Sequence, residues 1–156
     1  MIETQELDHS EAHEMWKEFG EAIGQKNLEA FYGKNWPRYP VDSEAVFECF
    51  DTGKRVGWFA IRLDPVEPYA WIIHGIWPEF QGWGYSKEIG KISNRMAFQR
   101  WNDIDYIMFA VSLSNQDYCN SFLLRNKYVE SAGVIRIPKP GYILFSFKRR
   151  REEGRK

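Results

Sequence analysis

Hydrophobic positions along the chain fall into two periods, and the switches between them mark the elements. Ile2 to Leu7 alternates loosely as a first strand. Ser10 then opens a helix along which Ala12, Met15, Trp16, Phe19 and Ile23 line one face, and Gly24 ends it. Asn27 caps a short second helix carrying Leu28, Phe31 and Tyr32, before Gly33-Lys34-Asn35-Trp36-Pro37-Arg38-Tyr39-Pro40 breaks regular structure. Ala45 to Asp51 alternates, Asp51-Thr52-Gly53-Lys54 supplies turn chemistry, and Arg55 to Leu63 resumes with Val56, Trp58, Phe59 and Ile61. That is a hairpin.

After the connection Asp64-Pro65-Val66-Glu67-Pro68, Tyr69 to Trp77 reads as an apolar, central strand. A helix follows from about Ser86 to Trp101, with Ile89, Ile92, Met96 and Phe98 or Ala97 on its buried side. Tyr106 to Ser112 reads as a strand covered on both faces. Ser114 or Asn115 caps a fourth helix through about Arg125, and Pro138-Lys139-Pro140-Gly141 joins two last strands, Ser131 to Ile137 and Tyr142 to Arg149.

Between the central strand and the third helix lies Ile76-Trp77-Pro78-Glu79-Phe80-Gln81-Gly82-Trp83-Gly84-Tyr85-Ser86. Pro78 removes a ladder donor and ends the strand, while Gly82 and Gly84 permit backbone angles and close approaches that side chains block. Amides of such a loop, with the unpaired amides and positive dipole end of the next helix, form a cradle for an anion such as a diphosphate. The bland reading is a tight connection that happens to use glycine.

Gln81-Gly82-Trp83-Gly84-Tyr85-Ser86 resembles the Q/R-x-x-G-x-G/A signature of the Gcn5-related N-acetyltransferase (GNAT) superfamily, which grips the pyrophosphate of acyl-coenzyme A. Ser86 stands where the family usually has Gly or Ala. The order of elements also resembles that family's over nearly the whole chain: strand, two helices, three antiparallel strands, helix, strand, helix, two strands. The resemblance implies an α/β fold with a central mixed, mostly antiparallel sheet of about seven strands and four helices. In that fold the fourth and fifth strands splay apart and leave main-chain groups free for pantetheine.

The resemblance further implies that the backbone of Ile76 and Trp77 pairs with pantetheine and that Gln81, Gly82, Trp83, Gly84, Tyr85 and Ser86 hold the diphosphate. Asn115 takes the place where the family often has an asparagine touching the cofactor, and as a residue on its own it reads as a helix cap. The implied reaction is transfer of an acetyl group from acetyl-CoA, or an acyl group from another acyl-CoA, by direct attack of a primary amine. Such transfer needs a route for the amine proton and a donor for the departing thiolate. Many members carry a tyrosine for the second task in the fourth helix; here Phe122 or Leu123 takes its place. Tyr118, one turn earlier, is the substitute candidate, and His74 on the fourth strand is the candidate base. A packed tyrosine and a hydrogen-bonded sheet histidine are the structural readings of the same two residues. Glu79 reads as a solvated or structural carboxylate, and His9 and His13 as surface residues around the first helix.

At 156 residues, 44% hydrophobic and 28% charged, the chain is one ordinary globular domain, 1–147, with a basic tail, 148–156. That tail carries a surplus of four positive charges, against a net charge of -1 for the whole. It reads as a solvated end or a contact for protein or nucleic acid. Aromatics amount to 17%, enough for aromatic-lined pockets as well as a core. Cys49 and Cys119 have no metal-ligand spacing and read as reduced thiols. Neither a leader pattern nor a membrane-length apolar run occurs, so the expectation is a cytoplasmic protein that uses an amine substrate, needs no metal and can form a homodimer. Two other readings keep the same residues: a GNAT-fold structural or interaction protein that has lost transfer activity, and a nucleic-acid-binding module using the tail and the Trp36 loop.

Overall fold

The computed structural model describes residues 1–112, 135–136 and 142–148. Among the described residues, seven strands form one sheet in the order β1-β2-β3-β4-β5-β7-β6. Here β1 is Ile2–Leu7, β2 Glu44–Asp51, β3 Lys54–Leu63, β4 Tyr69–Ile76, β5 Tyr106–Ser112, β6 Ile135–Arg136 and β7 Tyr142–Lys148. Every neighbouring pair is antiparallel except β4 and β5. The helices are α1 (His9–Ile23), α2 (Gln25–Tyr32) and α3 (Tyr85–Arg100). The expected fourth helix, near 114–125, lies outside the described residues.

The two faces of the sheet bury different chemistry. Ala45, Phe47, Phe59, Ile61, Ile72, Ile107 and Phe109 project to one side and pack with Ile89 and Ala97 of α3 in an aliphatic layer. Val46, Trp58, Ala60 and Trp77 project to the other and meet Met15, Trp16 and Phe19 of α1, Leu28 of α2, and Trp36. Period-two alternation on β2 and β3 assigns each residue its face, so a register slip of one residue would exchange the two layers. Turn residues Thr52 and Gly53, both at positive φ, fix that register between Asp51 and Lys54.

Two helix starts differ from the sequence reading. The N-cap of α1 is Asp8, whose carboxylate accepts from Glu11 N at 2.8 Å while the Glu11 side chain accepts from Asp8 N at 3.0 Å. This reciprocal box satisfies two otherwise orphan amides, and Ser10 instead bonds the Tyr39 hydroxyl. Asn27 does not cap α2. It lies inside the helix, its amide donating back to Ile23 O at 2.8 Å, and Gly24, which terminates α1, also precedes α2.

His9 and His13 are not surface groups. Both are half-buried, with ring nitrogens 2.8 Å from Glu44 O and 2.9 Å from Arg38 O. His9 ties α1 to the start of β2, and His13 ties α1 to the 33–43 loop. Within that loop Arg38 is held bidentate by Glu44 at 2.7 and 2.8 Å and lies over the rings of Trp16 and Trp36. A guanidinium so engaged is not offered to a phosphate, as a nucleic-acid surface built on the Trp36 loop would require.

Candidate functional site at the splayed strands

β4 and β5 pair only from Tyr69 with Tyr106 to Trp71 with Met108. Beyond that point β4 runs on to Ile76 with β3 along one side, and its other edge opens onto a wedge. Main-chain groups alternate in direction along a strand. Trp77 N donates to Val56 O of β3 at 3.0 Å, whereas the carbonyls of His74 and Ile76 are taken by side chains, Tyr32 Oη at 2.7 Å and Gln81 Nε2 at 3.3 Å. His74 and Ile76 therefore present their carbonyls to the wedge.

The wedge leads directly to the glycine loop. Pro78–Phe80 makes one 3₁₀ turn, closed by Gln81 N donating to Pro78 O. Gly82 and Gly84 follow at φ 84° and 88°, in the left-handed region that costs other residues 1 kcal/mol or more, on the order of magnitude. Among the described residues, a Cβ built on either would meet no atom beyond its chain neighbours within 4 Å. No described residue packs into the space beside this backbone. Gly84 precedes α3 without a side-chain cap among the described residues, and the first-turn amides of a helix have no acceptor within it.

Aromatic rings brace the loop. Phe80 packs edge-on against Trp83 and Tyr85, and Trp83 stacks on Tyr85 while staying 68% exposed. Tyr85 donates its hydroxyl to Asp51 Oδ2 at 2.6 Å. This bond holds the Asp51 carboxyl below the usual carboxylate range and pushes the Tyr85 phenol up. Loop and β2–β3 hairpin are thereby joined.

His74 points to the α3 side of the sheet, stacked on Phe109, with Nε2 3.3 Å from Ser86 Oγ. Desolvation lowers its pKa to about 4, so the ring is neutral at physiological pH. Cys49 is buried, its thiol pushed up to about 12 by desolvation, and is inert. Ile76, Gln81, Gly82, Gly84, Tyr85 and Ser86 are thus brought to one site. Trp77 adjoins it, but with its amide turned to β3. Tyr118 and Asn115 lie outside the described residues.

The sequence reading missed Tyr32. Its ring is fixed by Phe19, Trp36 and Trp58, and its hydroxyl reaches across from α2 to the wedge. No spacing rule links residue 32 to residue 74; only the fold does. Among the described residues no cluster has metal-ligating geometry, and no helix is long and apolar enough to cross a membrane.

No family model and no curated protein matches the sequence. Solved structures do match. Aminoglycoside acetyltransferase AAC(6')-Ib in complex with coenzyme A superposes with a TM-score of 0.68 over 96% of this chain and 95% of its own, at 11% identity. The GNAT domain of PAT from S. lividans gives 0.68, with 94% and 90% covered and 11% identity. The Salmonella typhimurium acetyl transferase that modifies the N-terminal serine of 50S ribosomal subunit protein L7/L12 gives 0.66, with 96% and 95% covered and 14% identity. With the splayed β4 and β5 and the glycine loop before α3, this agreement over the length of both chains identifies the fold as that of the Gcn5-related N-acetyltransferases.

Proposed function

We propose that the chain is an acyl-coenzyme A dependent N-acyltransferase that passes an acetyl group directly to a primary amine. The observation that carries this reading is the stretch of β4 beyond its ladder with β5, from Ile72 to Ile76, which leads to a helix start without a side-chain cap among the described residues. A strand edge suits the amides of pantetheine, and a helix N-terminus with a glycine loop suits a diphosphate. Both lie on one path. Structures of the same fold hold coenzyme A, and one is described with kanamycin as well, an amine-bearing molecule.

Bound acyl-coenzyme A supplies the activated acyl group; the chain supplies placement. Amides from Gly82 to Ser86 hold the diphosphate, and Gln81, now on Ile76 O, gives up that carbonyl to the arm. The wedge brings the amine and the thioester together, which accounts for much of the rate in a reaction of this kind. His74 was the base expected from the sequence. A ring held near pKa 4 retains a proton from an amine poorly, so in this reading it sets the spacing of strand and loop through Ser86 and the amine proton leaves by water.

Release of free thiol from acetyl-CoA in the presence of a panel of primary amines tests the reading. Turnover with any of them supports it. Saturable binding with no release across the panel would favour the alternative, an interaction protein that keeps the fold and the cofactor.

A further inference from the structure

We propose that Tyr32 is the acid that protonates the departing sulfur, in place of the fourth-helix tyrosine that the sequence lacks. The inference rests on the acyltransferase reading above. Its basis is one contact: the Tyr32 hydroxyl donates to His74 O at 2.7 Å, on the very edge of β4 that has lost its β5 partner. Any chain lying along that edge from the loop passes Ile76 and then His74. Successive same-side residues are about 7 Å apart along a strand, so the hydroxyl stands one such step from Ile76, deeper in the wedge.

The rest of the tyrosine is committed to packing. Its ring lies 6.0 Å from Phe19, 5.1 Å from Trp36 and 5.5 Å from Trp58, centroid to centroid, and only the oxygen reaches the edge. Trp58 in turn occupies the space beside Gly75, where a Cβ would come within 2.5 Å of its indole nitrogen. The α2 side of the sheet is therefore filled by rings. A phenol held in this way presents a proton at a fixed point and loses little freedom in doing so.

In the transfer, Tyr32 gives its phenolic proton to sulfur as the C–S bond breaks and the N–C bond forms. The attacking nitrogen must shed one proton, and Tyr32 regains one from it through water. One amide and one thiol result, with the tyrosine restored.

The test compares wild type, Tyr32→Phe and Tyr118→Phe by calorimetry with coenzyme A and its desulfo analogue, and by acetyl transfer. Wild type binds coenzyme A roughly fivefold more tightly than the desulfo form, the size of one hydrogen bond to sulfur. Tyr32→Phe binds the desulfo form as wild type does, loses the preference, and transfers roughly a hundredfold more slowly. Tyr118→Phe keeps the preference for coenzyme A over its desulfo form. A preference that persists in Tyr32→Phe, a transfer loss that follows Tyr118→Phe instead, or no preference in wild type overturns the inference while leaving the acyltransferase reading in place. The last outcome needs no variant to fold. Failure of folded wild type to bind either ligand overturns that reading and this inference with it.

Discussion

His74 Nε2 and Ser86 Oγ stand 3.3 Å apart, linking β4, beyond its ladder with β5, to the start of the helix that follows the glycine loop. The imidazole is neutral because burial lowers its pKa to about 4. The unfolded chain binds a proton near the ordinary value of about 6.5, so below that pH it takes up a proton that the native state refuses. Stability is therefore complete above 6.5 and falls as pH drops towards 4. Denaturant unfolding should show wild type losing about 3 kcal/mol more than His74→Gln between pH 7.5 and pH 4, from a pKa difference of 2.5. Equal losses in the two proteins would mean that the ring is protonated in place.

Gly84 lies at φ 88° beside open space. The Cβ of Gly84→Val meets none of the described residues, so the expected cost to stability is backbone strain, about 1–3 kcal/mol. Its cost to the cradle is larger, because the branched side chain fills the space in front of the α3 amides. Affinity for coenzyme A should drop more than tenfold while the protein remains folded at 25 °C. Unchanged affinity would remove the loop from the binding site.

Arg38 and Glu44 form a bidentate pair in which the Glu44 side chain is 1% exposed. Removing one partner leaves a buried charge. Arg38→Ala should destabilise by about 3 kcal/mol in urea unfolding, and the double change Arg38→Met with Glu44→Met should recover most of it. A double variant as unstable as the single one would show that Arg38 acts through its stacking on Trp16 and Trp36 instead.

What the sequence disclosed and what it withheld divide along range. β1 and β5 have the bounds that alternation suggested, Ile2–Leu7 and Tyr106–Ser112, since a period of two is a local property. The Gln81 to Ser86 loop was legible for the same reason. Helix starts were not: Ser10 and Asn27 are ordinary capping residues, but Glu11 pairs with Asp8, and Gly24 separates two helices with no room for a polar cap at Asn27. The roles of Tyr32, Arg38 and the two half-buried histidines depend on partners such as His74 O and Glu44, which only the folded chain brings near.

Gly75 is the tightest such partner. A Cβ there would fall 2.5 Å from Trp58 Nε1 and 2.8 Å from Phe19 Cζ. Gly75→Ala must displace buried rings and should cost about 1–3 kcal/mol, with the midpoint of urea unfolding lowered and the slope unchanged. Because Tyr32 leans on the same rings, transfer should slow as well. A variant as stable as wild type would show that the aromatic layer has slack.

The central claim is that the β4 edge and the loop before α3 together hold an acyl-coenzyme A. Calorimetric titration of the folded protein with acetyl-CoA tests it most directly. Saturable one-to-one binding that Gly84→Val weakens more than tenfold is the result the structure predicts; no heat of binding at millimolar acetyl-CoA would contradict it.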